Sequence, residues 1–375
     1  MKIRHAAPAI ALLLLGSLLV AGCGDAATSA PASPGPAGRG SAAPSASAAA
    51  PPGDAAATPS GAARRVRLAL DWTPNTNHTG FYVAQAKGWY ADAGVGLEVL
   101  PYGGTTPETI IAAGQAECGI SFQDSMTFAV AAGAPITSVM AILQHTAQEI
   151  AVLEASSITR PKDLDGKVYA GFGYPNEVPT LKSVITNDGG TGEFDVVTLD
   201  TAAYEALYNE RADFVITFSA WEAIEAELRG IDLRVFEFTD YGFPDFYQVV
   251  LACNRDWLAA NPDTAEAFVA ATVRGFELAA ENPAEASQIL IDENPGVFDA
   301  NPELPTASQR FMAESGLLVD EEGFVGMQTL EQWTAYSAFL YEQGLLVDAD
   351  GKALTAPPDY ASLFTNDFLP MPPPG

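Results

Sequence analysis

The sequence predicts an α/β fold with a largely parallel sheet, on three observations. Short apolar strands alternate with amphipathic helices from residue 64 onward, glycines stand where those helices should stop, and no repeat of about 20 to 50 residues appears, which sets aside solenoids and propellers.

Four strand-to-helix handovers carry the pattern. VRLAL (66–70) passes through DWTPNTNHT into GFYVAQAKGWYADAG, and ECGISF (117–122) passes into QDSMTFAVAAGA. KVYAGF (167–172) leads into GYPNEVPTLKSVITNDGG, and DFVITF (213–218) into SAWEAIEAELRG. Pro179 suits a first helical position, and Gly94, Gly133, Gly189 and Gly230 suit helix ends. The stretches 144–156 and 239–250 read as crossovers, and Ala- and Leu-rich helices follow them. The economical architecture is two α/β lobes joined by two crossover segments, with a ligand cleft between them. Residues 64–155 and 245–375 are expected to form lobe 1, and 156–244 lobe 2.

The chain before residue 64 is not expected to belong to either lobe. Lys2 and Arg4, an apolar run and small residues ahead of Cys23 read as an export signal over 1–22. Leu19-Val20-Ala21-Gly22-Cys23 resembles the bacterial lipobox, which implies lipidation at Cys23 and attachment to a membrane face. Residues 23–63 are dominated by Ala, Pro, Ser and Gly, with no large apolar side chain to bury, and read as a disordered tether. The formal charge of -29 disfavours nucleic acid as a partner, and its dispersal among apolar segments reads as a well-solvated surface. Cys118 and Cys253 each sit in strand-like sequence. They are expected to be free, buried thiols, with a disulfide as the open alternative.

In open α/β sheets ligands lie beyond the carboxyl ends of the strands, so the chemistry is sought in the handovers. The first holds Asp71, Trp72, Asn75, Asn77, His78 and Tyr82, which combine a flat face for stacking with amide and imidazole groups. Trp72 would serve equally as a core aromatic, and His78 as a helix-start residue. The second holds Gln123 and Asp124; Asp124 could simply cap its helix, whereas Gln123 is a poor cap. The third, with Tyr174 and Glu177, lacks the Lys-Ser/Thr ending of a phosphate loop and suits a neutral or cationic ring bearing N–H donors. The fourth repeats the pairing with Trp221 and Glu222. No G-x-S-x-G or H-E-x-x-H motif occurs. His78 and His145 are too separated for a metal set, and the acidic runs at 320–322 and 348–351 lack calcium-loop spacing. No cofactor, metal or catalytic residue is expected.

DWTPNTNHTGFYVAQAKGWY, GISFQDSM, the QH of ILQHT, ITRPKDLDGKVYAGFGYPNE, WEAIEAELRGIDL and SLFTNDFL together resemble the NMT1/THI5-like substrate-binding proteins of bacterial ABC importers. The resemblance covers nearly all of 65–370. It implies a type II periplasmic-binding-protein fold that closes on an aromatic heterocycle, with a pyrimidine precursor of thiamine the first expectation. Riboflavin, another heterocycle or a sulfonate is the alternative. It also implies ABC permease and ATPase partners, an extracytoplasmic monomer, and a ligand set extending to Gln144 and Tyr241. The same superfamily contains a pyrimidine synthase that uses an active-site Lys, His and cysteine run. Its pattern places Gln123 at the Lys and Thr127 at the His, and puts the cysteine-free GFPDFYQ at the thiols, so an enzyme is not expected.

Overall fold

The computed structural model describes residues 63–370; the expected export signal, Cys23 and nearly all of the tether lie outside them. Among the described residues no helix is long and apolar enough to cross a membrane.

β1 (Arg64–Ala69) leads through a 3-10 turn at Thr76–His78 into α1 (Thr79–Ala86) and α2 (Trp89–Asp92). β2 (Val95–Leu100) precedes α3 (Pro107–Ala112), β3 (Cys118–Ser121) precedes α4 (Gln123–Ala131), and β4 (Ile136–Ala141) and β5 (Gln148–Leu153) follow. β6 (Val168–Gly171), α5 (Glu177–Asn187), β7 (Asp195–Thr198), α6 (Ala202–Tyr208), β8 (Val215–Phe218), α7 (Glu222–Leu228) and β9 (Leu233–Glu237) then alternate. After β10 (Val250–Asn254) the chain is helical: α8 (Arg255–Ala260), α9 (Pro262–Glu281), α10 (Pro283–Glu293), α11 (Leu304–Glu314) and α12 (Leu330–Glu342).

The sheets are mixed rather than largely parallel. The larger has the order β2-β1-β3-β10-β4, with β1 parallel to β2 and β3 but β10 antiparallel to β3 and β4. In the other lobe β5 lies between β8 and β9, antiparallel to both, while β6 and β7 pair in parallel. The antiparallel strands are the ones next to the crossings. β5 falls inside the stretch expected as a crossover and before the expected boundary at 155/156, yet it is the central strand of the β8-β5-β9 sheet.

Strand alternation sends successive side chains to opposite faces, and β1 and β5 bury both. Val66 and Leu68 join a core with Ile120, Phe268 and Phe276, while Ala69 faces one with Ile111, Met126, Tyr247 and Trp333. Ile150 and Val152 pack with Tyr169, Leu181 and Phe214, while Ala151 faces Ala203, Leu207 and Val215. α12 serves both lobes, because Trp333 enters a core of the larger sheet and Tyr336 and Leu340 enter that of β5. α1 and α9 touch backbone to backbone. A Cβ on Gly275 would meet the Gly80 carbonyl oxygen at 1.9 Å, so only glycine fits there.

Cys118 and Cys253 form a disulfide, contrary to the expectation of free thiols. Each is a buried strand residue, as expected, but the antiparallel pairing of β3 with β10 sets them directly opposite, with Cα atoms 4.0 Å apart. That register depends on a strand arriving from far along the chain.

Candidate functional site

At the end of β1, Asn75 organises the first junction. Its side chain accepts the Asn77 N–H (2.9 Å), and its own N–H donates to His78 Nδ1 (3.2 Å). Since Nδ1 accepts, Nε2 carries the proton that His78 donates to Asp71 Oδ1 (2.7 Å). His78 is wholly buried, so it aims Asp71 rather than facing a ligand. Trp72 is 40% exposed and lies 5.3 Å from Tyr102, centroid to centroid, at 33°.

At the start of α4, Asp124 Oδ1 accepts the Ser125 N–H (2.7 Å) and Oδ2 accepts from Asn176 Nδ2 (2.8 Å). Asn176 also donates to the Tyr336 hydroxyl (2.9 Å), so this carboxyl links the β3–α4 junction to the β6–α5 loop and α12. Burial pushes it up to about 6. In the β6–α5 loop, Glu177 accepts the backbone N–H groups of Phe172 and Gly173, both at 3.1 Å, which holds the loop and leaves Tyr174 64% exposed. Phe172 stacks on Tyr174 at 6.3 Å and 16°.

At the end of β8, Trp221 packs partly against Tyr82, Leu290 and Phe298. Glu222 opens α7 and places Oε2 in the interior with no hydrogen-bond partner, as is the nearby Tyr204 hydroxyl. Burial raises the Glu222 carboxyl to about 7.

These junctions enclose a cavity of about 340 Å³ between the lobes. Of the residues named from sequence, Asp71, Trp72, Asn75, Asn77, Asp124, Tyr174, Glu177, Trp221 and Glu222 line it. Glu108 and Asp200 bring further carboxyl groups, and no Lys, Arg or His lines it among the described residues. Ser121 Oγ donates to Glu108, whose carboxyl burial pushes up. The lining suits a flat neutral or cationic molecule rich in N–H donors.

The remaining sequence-named residues stand elsewhere. Gln123 is buried, its Nε2 donating to the carbonyls of Gln332 (3.1 Å) and Trp333 (3.0 Å) while Oε1 accepts the Tyr247 N–H (2.9 Å), so nothing is left for a ligand. Gln144 is buried outside the lining, where its backbone carbonyl accepts from Gln332 Nε2 (2.7 Å) and its side-chain Nε2 has no partner. Tyr241 ends a 3-10 turn and meets Phe236 edge-on at 6.3 Å, also outside the lining. Tyr82 is buried in a packing cluster. Sequence reading missed Tyr102, Glu108, Asn176 and Gln248. Tyr102 and Glu108 follow β2, and the strand-end rule applied to LEVLPYGGTTPET would have found them.

Paired α/β lobes with a cleft at the strand ends define a type II periplasmic-binding-protein fold. The putative sulfonate ABC transporter periplasmic sulfonate-binding protein SsuA from Methylobacillus flagellatus has the same fold, with a TM-score of 0.61 and 17% identity over 82% of this chain and 93% of that one. Within this class, the chain belongs to the NMT1/THI5-like family, whose model matches residues 75–286. It is 29% identical over 235 residues to a formylaminopyrimidine-binding protein of Halalkalibacterium halodurans, covering 61% of this chain and 71% of that protein. It is 27% identical over 237 residues to a 4-amino-5-hydroxymethyl-2-methylpyrimidine phosphate synthase of Legionella pneumophila, covering 62% and 74%.

Proposed function

We propose that this protein is the extracytoplasmic solute-binding component of an ABC importer and that it holds a hydroxymethyl- or formylaminopyrimidine precursor of thiamine in the interlobe cavity. The observation that carries the reading is a cavity walled by Trp72, Tyr102 and Tyr174 whose charged lining consists of carboxyl groups. Chief among these is the unpartnered buried Oε2 of Glu222. An aminopyrimidine offers a face to stack and N–H donors at its rim. A sulfonate would bring a negative charge among six carboxyl-bearing side chains with no cation to meet it. The formylaminopyrimidine-binding relative supports the same choice.

Binding rather than synthesis is supported by the two positions that match the synthase pattern. Gln123 is fully engaged with backbone groups, and the Thr127 hydroxyl donates to the Gln123 carbonyl (2.7 Å) beside Ser337 (2.9 Å). In our reading Cys23 carries the lipid that tethers the protein to the membrane, the domains act as a monomer, and a permease with its ATPase completes uptake. Ligand binding would favour the closed arrangement of the lobes.

A thermal-shift screen of the purified protein tests this against aminopyrimidines, riboflavin, thiamine and taurine. Aminopyrimidines should raise Tm and taurine should not. Stabilisation by taurine with no response to any heterocycle would overturn the reading, and stabilisation by riboflavin alone would replace the ligand while keeping the site.

A further inference from the structure

A second, larger groove of about 950 Å³ shares only Ala147 and Gln148 with the cavity between the lobes. Alternation along β5 separates them: Glu149, next to Gln148, lines the groove and not the cleft. Glu149 is only 5% exposed. Across β5–β9 it stands directly opposite Glu237, and across β5–β8 opposite Thr217, whose buried hydroxyl has no partner. Burial and the Glu237 charge push the Glu149 carboxyl up to about 8, and no hydrogen bond opposes the rise. Glu237 is exposed and Glu149 is buried, so the two carboxyl groups repel across neighbouring strands and Glu149 gains most from a positive partner.

Other charges face the groove from every side: Glu227 on α7, Glu154 at the end of β5, Asp232 before β9, and the His145–Asp245 pair (2.6 Å) at the crossings. Glu154 is held by Arg234 at 2.5 Å. Ile224, Val235, Phe311 and Leu317 add apolar wall, interspersed with Thr146, Ser219, Thr239 and Ser315. Among the described residues no group of three His, Cys, Asp or Glu side chains is placed to hold a metal ion. The site therefore asks for N–H donors on a positive head with an apolar body behind it.

We infer that this groove binds a small organic cation, with a guanidinium or ammonium head set between Glu149 and Glu237 and a short apolar body against Ile224, Val235 and Leu317. Because Gln148 belongs to both cavities, the bound cation lies one residue from the cleft. The proposal stands apart from the pyrimidine reading and does not depend on it.

The test is calorimetry of the whole protein with n-butylguanidinium at pH 6 and pH 9. A carboxyl titrating near 8 is about one per cent ionised at pH 6, and His145 gains positive charge over the same range, so affinity should be tens-fold weaker at pH 6. Glu149→Gln should abolish saturable binding, and Glu237→Gln should weaken it severalfold, with near-ultraviolet circular dichroism confirming that both variants fold. Glu222→Gln should leave it unchanged. No saturable binding at pH 9, undiminished affinity in Glu149→Gln, or loss in Glu222→Gln instead, which would put the cation in the cleft, each overturns the inference.

Discussion

Replacing Glu222 by Gln should strengthen the fold and weaken the site. The native protein holds this carboxyl in the interior with one oxygen unpartnered, and burial lifts it from its ordinary 4.5 to about 7. Because the folded value lies above the unfolded one, the group's contribution to stability is fully present below about pH 4.5 and is lost as pH rises through 7. The loss amounts to about 3 kcal/mol at most. Gln has no such loss, so the ligand-free variant should melt like the native protein near pH 4.5 and higher than it at pH 8. Ligand binding should move the other way. A charge-assisted hydrogen bond contributes roughly 1.5 to 3 kcal/mol, so an aminopyrimidine should bind about ten- to a hundredfold more weakly to Glu222→Gln at pH 8. Melting curves at the two pH values and calorimetry at pH 8 read both effects. A variant that melts lower at pH 8, or that binds the ligand as tightly as the native protein, would refute the assignment of Glu222 as a buried ligand acceptor.

Trp72→Ala should reduce heterocycle affinity by about five- to a hundredfold, from a stacking contribution of roughly 1 to 3 kcal/mol. Its Tm should barely move, since the indole is 40% exposed and belongs to none of the buried clusters; titration calorimetry and a melt separate the two. Cys253→Ser should lower unfolding stability by about 4 to 5 kcal/mol, because the bond spans 135 residues of sequence. Denaturant titration with and without reductant checks this: reductant should shift the midpoint of the native protein and leave that of the variant alone.

Much of the cavity was legible because it follows from topology. Asp71 and Trp72, Asp124, Tyr174 and Glu177, and Trp221 and Glu222 all leave the carboxyl ends of strands, and such ends converge on one crevice. The errors have a common physical origin. His78, Gln123 and Gln144 are polar residues in polar company, but His78 is spent on Asp71, Gln123 on the Tyr247 N–H and the α12 carbonyls far along the chain, and Gln144 is buried with its side-chain Nε2 unpartnered. A sequence shows that a side chain can make hydrogen bonds, not which distant backbone groups will use them. The disulfide and the antiparallel strands fail for the same reason. β10 inserts between β3 and β4 after more than a hundred intervening residues, and nothing local in VVLACN records its direction.

Gln123 is spent on the architecture around the cleft. Its amide makes three hydrogen bonds at once, clasping the second crossing through Tyr247 and the start of α12 through Gln332 and Trp333. α12 in turn contributes to the cores of both lobes, and its Tyr336 accepts from Asn176 at the cleft. A lysine here could donate to the carbonyls but could not accept the Tyr247 N–H, leaving that buried donor orphaned. The position that the synthase resemblance gives to a lysine thus fixes the joint between the lobes here, close to the Asp124 and Glu222 carboxyls that burial pushes up.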